Sequence, residues 1–386
     1  MRLAVVTSHP VQYYAPLFRE LNRRLDLKVF YGHQAGPLDQ ARAGFGVGFQ
    51  WDTDLMSGYP SCFLANKAKR PGLGGFFGID TPDILDRLKE GNFDAVMLIG
   101  WHKKFLLQAL FAAKRLKLPV IVRGDSHLET PRSQLKKIAK QVLYPLFLRQ
   151  FDAALAVGQR NRAYWRHYRY PEARIFDSPH CVDTGWFAER ATETARLELR
   201  DRLGIAHETP IALFAGKLVE FKHPLHLIEA AALVRGKGLD LEVLVAGDGP
   251  LKERIMARAT ALEVPLHLLG FCNQSQMPAA YAAADVLVLP SRSETWGLVV
   301  NEALACGQPV IVSDSIGCAP DIRRKLGDRA TFAFGHIADL ADRLAARFRS
   351  GPDDGRIAEA SHDFSISRAC DGIISAMAKS LENKVL

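Results

Sequence analysis

The chain has 386 residues, 48% hydrophobic and 24% charged, an ordinary globular composition that argues against widespread disorder, and its length suits two domains of roughly 150–200 residues. A formal charge of +8 and a pI near 9.2 point to an anionic partner, whether nucleic acid, an acidic membrane surface or a phosphorylated small molecule. Cysteines 62, 181, 272, 306, 318 and 370 form no C-x-x-C and no zinc spacing, so a reduced, cytosolic compartment is expected. The apolar run after Met1 is too short for a secretory core, and no 18-residue apolar run predicts a membrane span.

In chain order, short apolar runs recur with helix-like segments between them. LAVVTS (3–8), LKVFY (27–31), DAVMLIG (94–100), PVIVRG (119–124) and AALAVG (153–158) make one series. PIALFAG (210–216), LEVLVAG (241–247), VPLHLLG (264–270), ADVLVLP (284–290) and QPVIVSD (308–314) make a second. Uninterrupted apolar strands alternating with amphipathic helices predict parallel sheets covered on both faces. The fold class is therefore α/β, two doubly wound Rossmann-like domains with a ligand cleft between them. The boundary is placed within 178–210, giving a domain of residues 1–183 and one of 184–366. The helical stretch toward the C-terminus, 367–386, is expected to pack back onto the first.

Two segments of the first half stand apart. RPGLGGFFGID (70–80) carries four glycines and reads as a mobile acceptor-side loop or as a plain connection. Segment 132–170 holds nine Arg or Lys residues against one acid, Asp152. Within it Leu135, Ile138, Val142, Leu143 and Leu146 share a helical face, with Lys136, Lys137 and Lys140 elsewhere on the wheel. The alternatives are a membrane-surface helix, or a solvated basic face over a core stripe.

The second half carries the chemistry. In FAGKLVEFKHPLHLIEAA (214–231) a strand ends at Gly216, and Lys217 and Lys222 follow before a helix. Two ammonium groups at a βα junction can bracket a diphosphate. VAGDGPLKERI (245–255) turns tightly from strand to helix without completing G-x-G-x-x-G, and no G-K-[ST] loop is present. In SRSETWGLVVNEALACGQPVIVSD (291–314), Glu294 lies on a loop before a helix that Gly307 closes. The amides near Gly297 and Leu298 make an anion site, and Glu302 is placed to meet ribose hydroxyls. Either glutamate alone is also explained by the helix dipole, and the pair by a glycosidase's acid and nucleophile. A glycosidase, however, has no need of a phosphate site.

The ordered set G-K-L-x-E-x-K, A-G-D-G-P-L, L-G-F and P-S-x-x-E-x-x-G-L-V-x-x-E-A-L-A-C-G-x-P-V-I, across roughly 210–325, resembles the donor-binding domain of glycosyltransferase family 4, whose members are retaining, nucleotide-sugar-dependent enzymes of the GT-B fold with an E-x7-E motif. The resemblance implies that Gly216, Lys217 and Lys222 meet the diphosphate, Glu294 the transferred sugar and Glu302 the ribose. It further implies that the backbone of Gly270, Phe271, Cys272 and Asn273 lines the base, and that the amides of Trp296, Gly297 and Leu298 complete the phosphate site. VIVRGDSH (120–127) resembles the strand end that presents the family's active-site histidine, here His127. The opening TSHPVQYYAPLFREL lacks the family's glycine pair. His9, Gln12 and Tyr13 stand there on the acceptor side, as in a bacterial subgroup that opens with H-P-x-Q-Y, and SPHCVD replaces the usual N-G-V-D hinge.

The expected function is sugar transfer from a nucleoside diphosphate sugar to a saccharide or lipid-linked acceptor of a bacterial surface glycan, with retention, no metal and no cofactor. The expected location is cytoplasmic, with peripheral contact at the inner membrane face through 132–170. Alternatives are a nucleotide-sugar epimerase on the same scaffold and a non-catalytic nucleotide-sugar-binding partner. A nucleic-acid-binding role lacks a recognition helix, zinc pattern or RNA-binding motif.

Overall fold

The computed structural model describes residues 1–36, 48–129, 133–351 and 354–385. Arg132 and Leu386, which belong to segments singled out above, lie outside the described residues, as do the side chains of Leu135 and Lys136. Contacts divide the chain into two units, one of residues 1–36, 48–181 and 366–385, the other of 182–351 and 354–365.

Seven strands build the first unit's sheet: β1 (Arg2–Thr7), β2 (Asp26–Tyr31), β3 (Ser61–Phe63), β4 (Ala95–Ile99), β5 (Val120–Arg123), β6 (Ala153–Ala156) and β7 (Ile175–Asp177). They are parallel, in the order β3-β2-β1-β4-β5-β6-β7. At the centre Val5 stands opposite Val29 on one side and Met97 on the other. Helices Tyr14–Arg24 and Ile366–Val385 bury one face of this sheet. Arg24 links them through Asp371 at 2.8 Å and the Ser367 hydroxyl at 2.8 Å. Helices Ile84–Glu90, Lys104–Arg115 and Gln159–His167 bury the other.

The second unit's sheet holds β8 (Ile211–Ala215), β9 (Glu242–Ala246), β10 (Leu266–Gly270), β11 (Val286–Leu289), β12 (Val310–Ser313) and β13 (Thr331–Phe332), in the order β10-β9-β8-β11-β12-β13. Both sheets reverse strand order once, between β1 and β4 and between β8 and β11. At such a reversal the loops leaving two neighbouring strands run in opposite directions, which opens a crevice at their carboxyl ends. All ten apolar runs of the sequence form strands. The additional β3, β7 and β13 are sheet edges of two or three residues, too short for a hydrophobic period to show.

The Gln134–Leu148 helix departs from the core-stripe reading. Its packed side is aromatic: Tyr144 packs at a tilt against Tyr168, ring centres 5.2 Å apart, and Phe147 meets Phe151 edge to face at 5.6 Å, while Leu148 is buried. The aliphatic side faces solvent. The glycine loop closes on itself through Gly72 N–H to the Gly78 carbonyl at 3.0 Å. Lys103 donates to the Leu73 and Gly75 carbonyls at 2.5 and 3.0 Å, so the loop is tethered. Among the described residues no helix is long and apolar enough to cross a membrane.

One buried cation anchors the second unit. Arg200, in helix Glu193–Leu203, is fully buried. Its guanidinium donates to the carbonyls of Ala283 (2.9 Å), His207 (2.8 Å) and Thr209 (2.9 Å) and to Asp285 (3.1 Å). Asp285 also accepts from Ile211 N–H at 2.8 Å, which fixes where β8 starts. Removing the guanidinium strands these acceptors, so Arg200→Ala should cost about 3–5 kcal/mol. Chemical denaturation followed by circular dichroism should show that loss, and Arg200→Lys, whose ammonium lacks the planar fork, should recover only part of it.

Candidate functional site

The second unit's strand reversal determines which loops meet. The segment after β8 carries Gly216, Lys217 and Lys222, and the segment after β11 carries Ser291 to Gly297. Lys222 Nζ lies 2.5 Å from Glu294 Oε1, both side chains mostly buried, and the Ser291 hydroxyl donates to the same oxygen at 3.1 Å. Backbone adds a second tie, Arg292 N–H to the Phe221 carbonyl at 2.8 Å. Lys217 stands beside the pair. Burial pushes its ammonium below the ordinary lysine range, Lys222 acts in the same direction, and Glu294 opposes both. Two cations and one carboxylate therefore share one edge, with a net positive charge.

The A-G-D-G-P turn braces this edge. A side chain at Gly247 would place its Cβ 1.9 Å from the Gly216 carbonyl oxygen, so the β8 and β9 loops cross where only glycine fits. Leu218 N–H donates to the Asp248 carbonyl and Leu251 N–H to the Leu218 carbonyl, at 2.9 and 3.0 Å.

Gly297 caps helix Leu298–Ala305 with φ of +106°, a left-handed conformation that favours glycine. The leading amides of a helix have no acceptor within it, so Gly297 and Leu298 bring N–H groups and the positive end of the dipole to this edge. The loop is held from behind: Gly317 N–H donates to the Glu294 carbonyl at 3.0 Å and Cys318 N–H to the Trp296 carbonyl at 3.2 Å. Trp296 turns its ring inward, its indole N–H donating to Asn301 at 3.0 Å. Glu302 is only 5% exposed, and its Oε2 accepts from the Tyr281 hydroxyl at 2.5 Å. One oxygen of the expected ribose ligand is thus already engaged. Gly270, the last residue of β10, has φ of +71°. Phe271 and Cys272 follow half-buried, burial raising the Cys272 thiol to about 11. Asn273 caps the next turn in a capping box, its side chain accepting from the Gln276 backbone and the Gln276 side chain accepting from Asn273 N–H at 2.9 Å. A cavity of about 590 Å³ lined by Pro309, Arg329, Arg343 and Arg347 lies at the opposite, amino edge of β12 and contains none of these residues.

In the first unit, His9 Nδ1 lies 2.9 Å from the Ser8 hydroxyl. Gln12 is buried, and Tyr13 precedes helix Tyr14–Arg24. His127 is 2% exposed, with Nδ1 2.9 Å from Glu129 Oε2, a more enclosed position than its expected meeting with a donor sugar suggests. Sequence reasoning passed over Arg123, Tyr281 and Ser291. Arg123 ends β5 fully buried, donates to the Pro179 carbonyl at 2.8 Å and lies 5.7 Å from the centre of the Tyr14 ring. A cation closing the apolar run VIVR, and a tyrosine within AAYAAA, were the available signals.

The family described as glycosyl transferases group 1 matches residues 195–363, nearly the whole second unit. The match is confined to the second unit. The matched span includes Lys217, Lys222, Glu294 and Glu302. Among curated relatives, D-inositol 3-phosphate glycosyltransferase of Corynebacterium glutamicum is 32% identical over 251 residues, 60% of this chain and 57% of that protein. Alpha-D-kanosaminyltransferase of Streptomyces kanamyceticus is 30% identical over 166 residues, 41% of this chain and 42% of that protein. The chain spans about half the length of the curated relatives it matches. The crystal structure of HepE from Anabaena in complex with UDP and glucose is similar over 98% of this chain and 100% of that one, with a TM-score of 0.70 at 16% identity. That likeness shows the fold, GT-B, with two parallel-sheet α/β domains.

His180 gives the first unit a pH response. Burial, reinforced by Arg123, lowers its imidazole from 6.5 to about 3, and Asp125 opposes. A histidine depressed in the folded state stabilises the fold fully above its unfolded value, and that contribution is lost as pH falls from about 6.5 toward 3. The thermal midpoint should therefore drop on acidification from pH 7 to 4, less steeply in His180→Asn. Equal slopes in the two melting series would remove His180 from this role.

Proposed function

We propose that the protein transfers a sugar from a nucleoside diphosphate sugar to an acceptor with retained anomeric configuration. The observation that carries this reading is the convergence, at the crevice edge of a group 1 domain, of Lys217, Lys222, Glu294 and the amino end of helix Leu298–Ala305. A diphosphate is the ligand whose charge matches two ammonium groups and a helix N-terminus. Glu302 takes the ribose through its remaining acceptor capacity, and the backbone of Gly270, Phe271 and Cys272 lines the base. The amides of Trp296, Gly297 and Leu298 complete the phosphate site. The UDP in the HepE complex makes a UDP-sugar the first donor to try.

The Lys222–Glu294 pair gives the mechanism its order. A donor phosphate competes with Glu294 for Lys222, and the carboxylate released from the pair accepts from hydroxyls of the sugar. As the bond from the anomeric carbon to the phosphate oxygen breaks, Lys217, Lys222 and the helix amides stabilise the charge on the departing diphosphate. The acceptor oxygen bonds to the anomeric carbon on the same face, and its proton passes to the departing phosphate. Glu294 positions the sugar and forms no covalent bond. The two lysines take the part a divalent ion plays elsewhere, so transfer should survive chelation. On the first unit, His9, Gln12 and Tyr13 serve the acceptor, a saccharide or lipid-linked saccharide, and His127 contributes toward the reacting sugar. A cytoplasmic location suits a nucleotide-sugar donor.

Glu294→Gln keeps the shape and removes the charge, and should lower the transfer rate by about 100-fold or more while leaving nucleoside diphosphate binding within a few-fold. Radiolabelled sugar transfer reads the first, and thermal shift against UDP, GDP and ADP sugars reads the second. Wild-type transfer by the variant would remove Glu294 from its role. Interconversion of the donor sugar without any acceptor would point to an epimerase.

A further inference from the structure

Helix Gln134–Leu148 turns its apolar side outward. Ile138, Val142, Leu143 and Leu146 are 62%, 67%, 64% and 68% exposed, and Ala139 between them is exposed too. At about 100° per residue these positions share an arc of roughly 140° on one side of the helix. Fourteen large apolar side chains are exposed among the described residues, and four of them lie on this one helix. Scattered exposed hydrophobes need no explanation, but a contiguous aliphatic stripe does. The helix is already anchored through its opposite, aromatic side, so the stripe is not needed to hold it in place.

The charge around the stripe has one sign. Residues 133–151 contain Lys136, Lys137, Lys140 and Arg149 and no acid. Lys137 and Arg149 are exposed, and among the described residues neither has a carboxylate within ion-pair distance. Arg149 follows seven residues after Val142 and so continues the same arc. Lys140 rests 4.2 Å from the centre of the Tyr144 ring. Helix Lys104–Arg115 lies on the same face of the sheet, because β4 to β5 and β5 to β6 are successive crossovers in one direction. It leaves Phe111 69% exposed.

We propose that this helix docks on an anionic lipid bilayer, with Ile138, Val142, Leu143 and Leu146 in the acyl boundary, Arg149 at the level of the lipid phosphates, and Lys137, exposed near the helix start on the other side of the wheel, adding to the positive field. Aliphatic side chains without aromatic anchors on a single convex helix suit a fluid hydrocarbon surface, and the unbalanced cations supply complementarity to anionic headgroups. A second copy of the chain is disfavoured by its symmetry, since a twofold contact would press this cationic patch against itself. The helix begins at the carboxyl edge of the first sheet, beyond β5, so a lipid-linked acceptor in the same bilayer reaches the chain from that edge. This last consequence rests on the sugar-transfer reading; the docking does not, and vesicle binding tests it without turnover.

The test is co-sedimentation of the full chain with vesicles of phosphatidylcholine alone and with one part in three phosphatidylglycerol. Wild-type protein should bind the anionic vesicles at least tenfold more tightly than the neutral ones. Leu143→Ser with Leu146→Ser should weaken that binding by about tenfold or more, with no fall in melting temperature because both positions face water. Lys137→Gln with Arg149→Gln should remove most of the preference for anionic lipid. Absence of vesicle binding by the wild type would overturn the proposal, as would equal binding by the serine variant. So would a wild-type dimer in analytical ultracentrifugation that the serine variant converts to monomer, which would assign the face to a second copy.

Discussion

Lys222 and Glu294 stand 72 residues apart in sequence, and their ion pair, with the Arg292 to Phe221 backbone bond beside it, joins the two loops that the strand reversal would otherwise lead apart. The rest of the candidate site depends on that junction. It brings Lys217 alongside, sets the amino end of helix Leu298–Ala305 at the same edge, and leaves a carboxylate whose partner an incoming phosphate can take. The pair is mostly buried, so it is screened far less than a surface salt bridge, yet its neutral sum leaves Lys217 as the excess charge. On the proposed sugar-transfer reading, an acid stands at this cationic edge because it meets a different part of the same ligand.

The scaffold keeps this edge rigid by crossing backbones where side chains would not fit. Gly216 and Gly247 pass within contact that excludes a Cβ, the Asp248 and Leu251 backbones hydrogen-bond to Leu218 of the β8 loop, and Gly317 holds the loop of Glu294 from behind. At the opposite end of the sheet Arg200 gathers three carbonyls from two segments and fixes the start of β8 through Asp285. The cationic edge and the buried guanidinium therefore act at opposite ends of one strand, one open to ligand and one sealed.

Much of this was legible in sequence because parallel strands buried on both faces must be uniformly apolar, and because glycine, lysine and glutamate at strand ends have few other reasons to recur in that order. What escaped was of a different physical kind. Edge strands such as Thr331–Phe332 carry too few residues for a period. The Tyr281 hydroxyl on Glu302 and the Arg123 guanidinium among the Pro179 and Tyr14 groups depend on contacts between distant segments. For the Gln134–Leu148 helix the wheel found the stripe, but periodicity is blind to which side of a helix meets the protein. Tyr144, Phe147 and Leu148 decided that by packing inward.

On the sugar-transfer reading, Lys217 and Lys222 hold a diphosphate. Titration calorimetry of the full chain with UDP and with uridine, for the wild type and for Lys217→Ala with Lys222→Ala, tests it most directly. UDP should bind the wild type more than tenfold tighter than uridine, and the double variant should lose most of this advantage while its affinity for uridine is unchanged. Undiminished preference for UDP in the variant would contradict it.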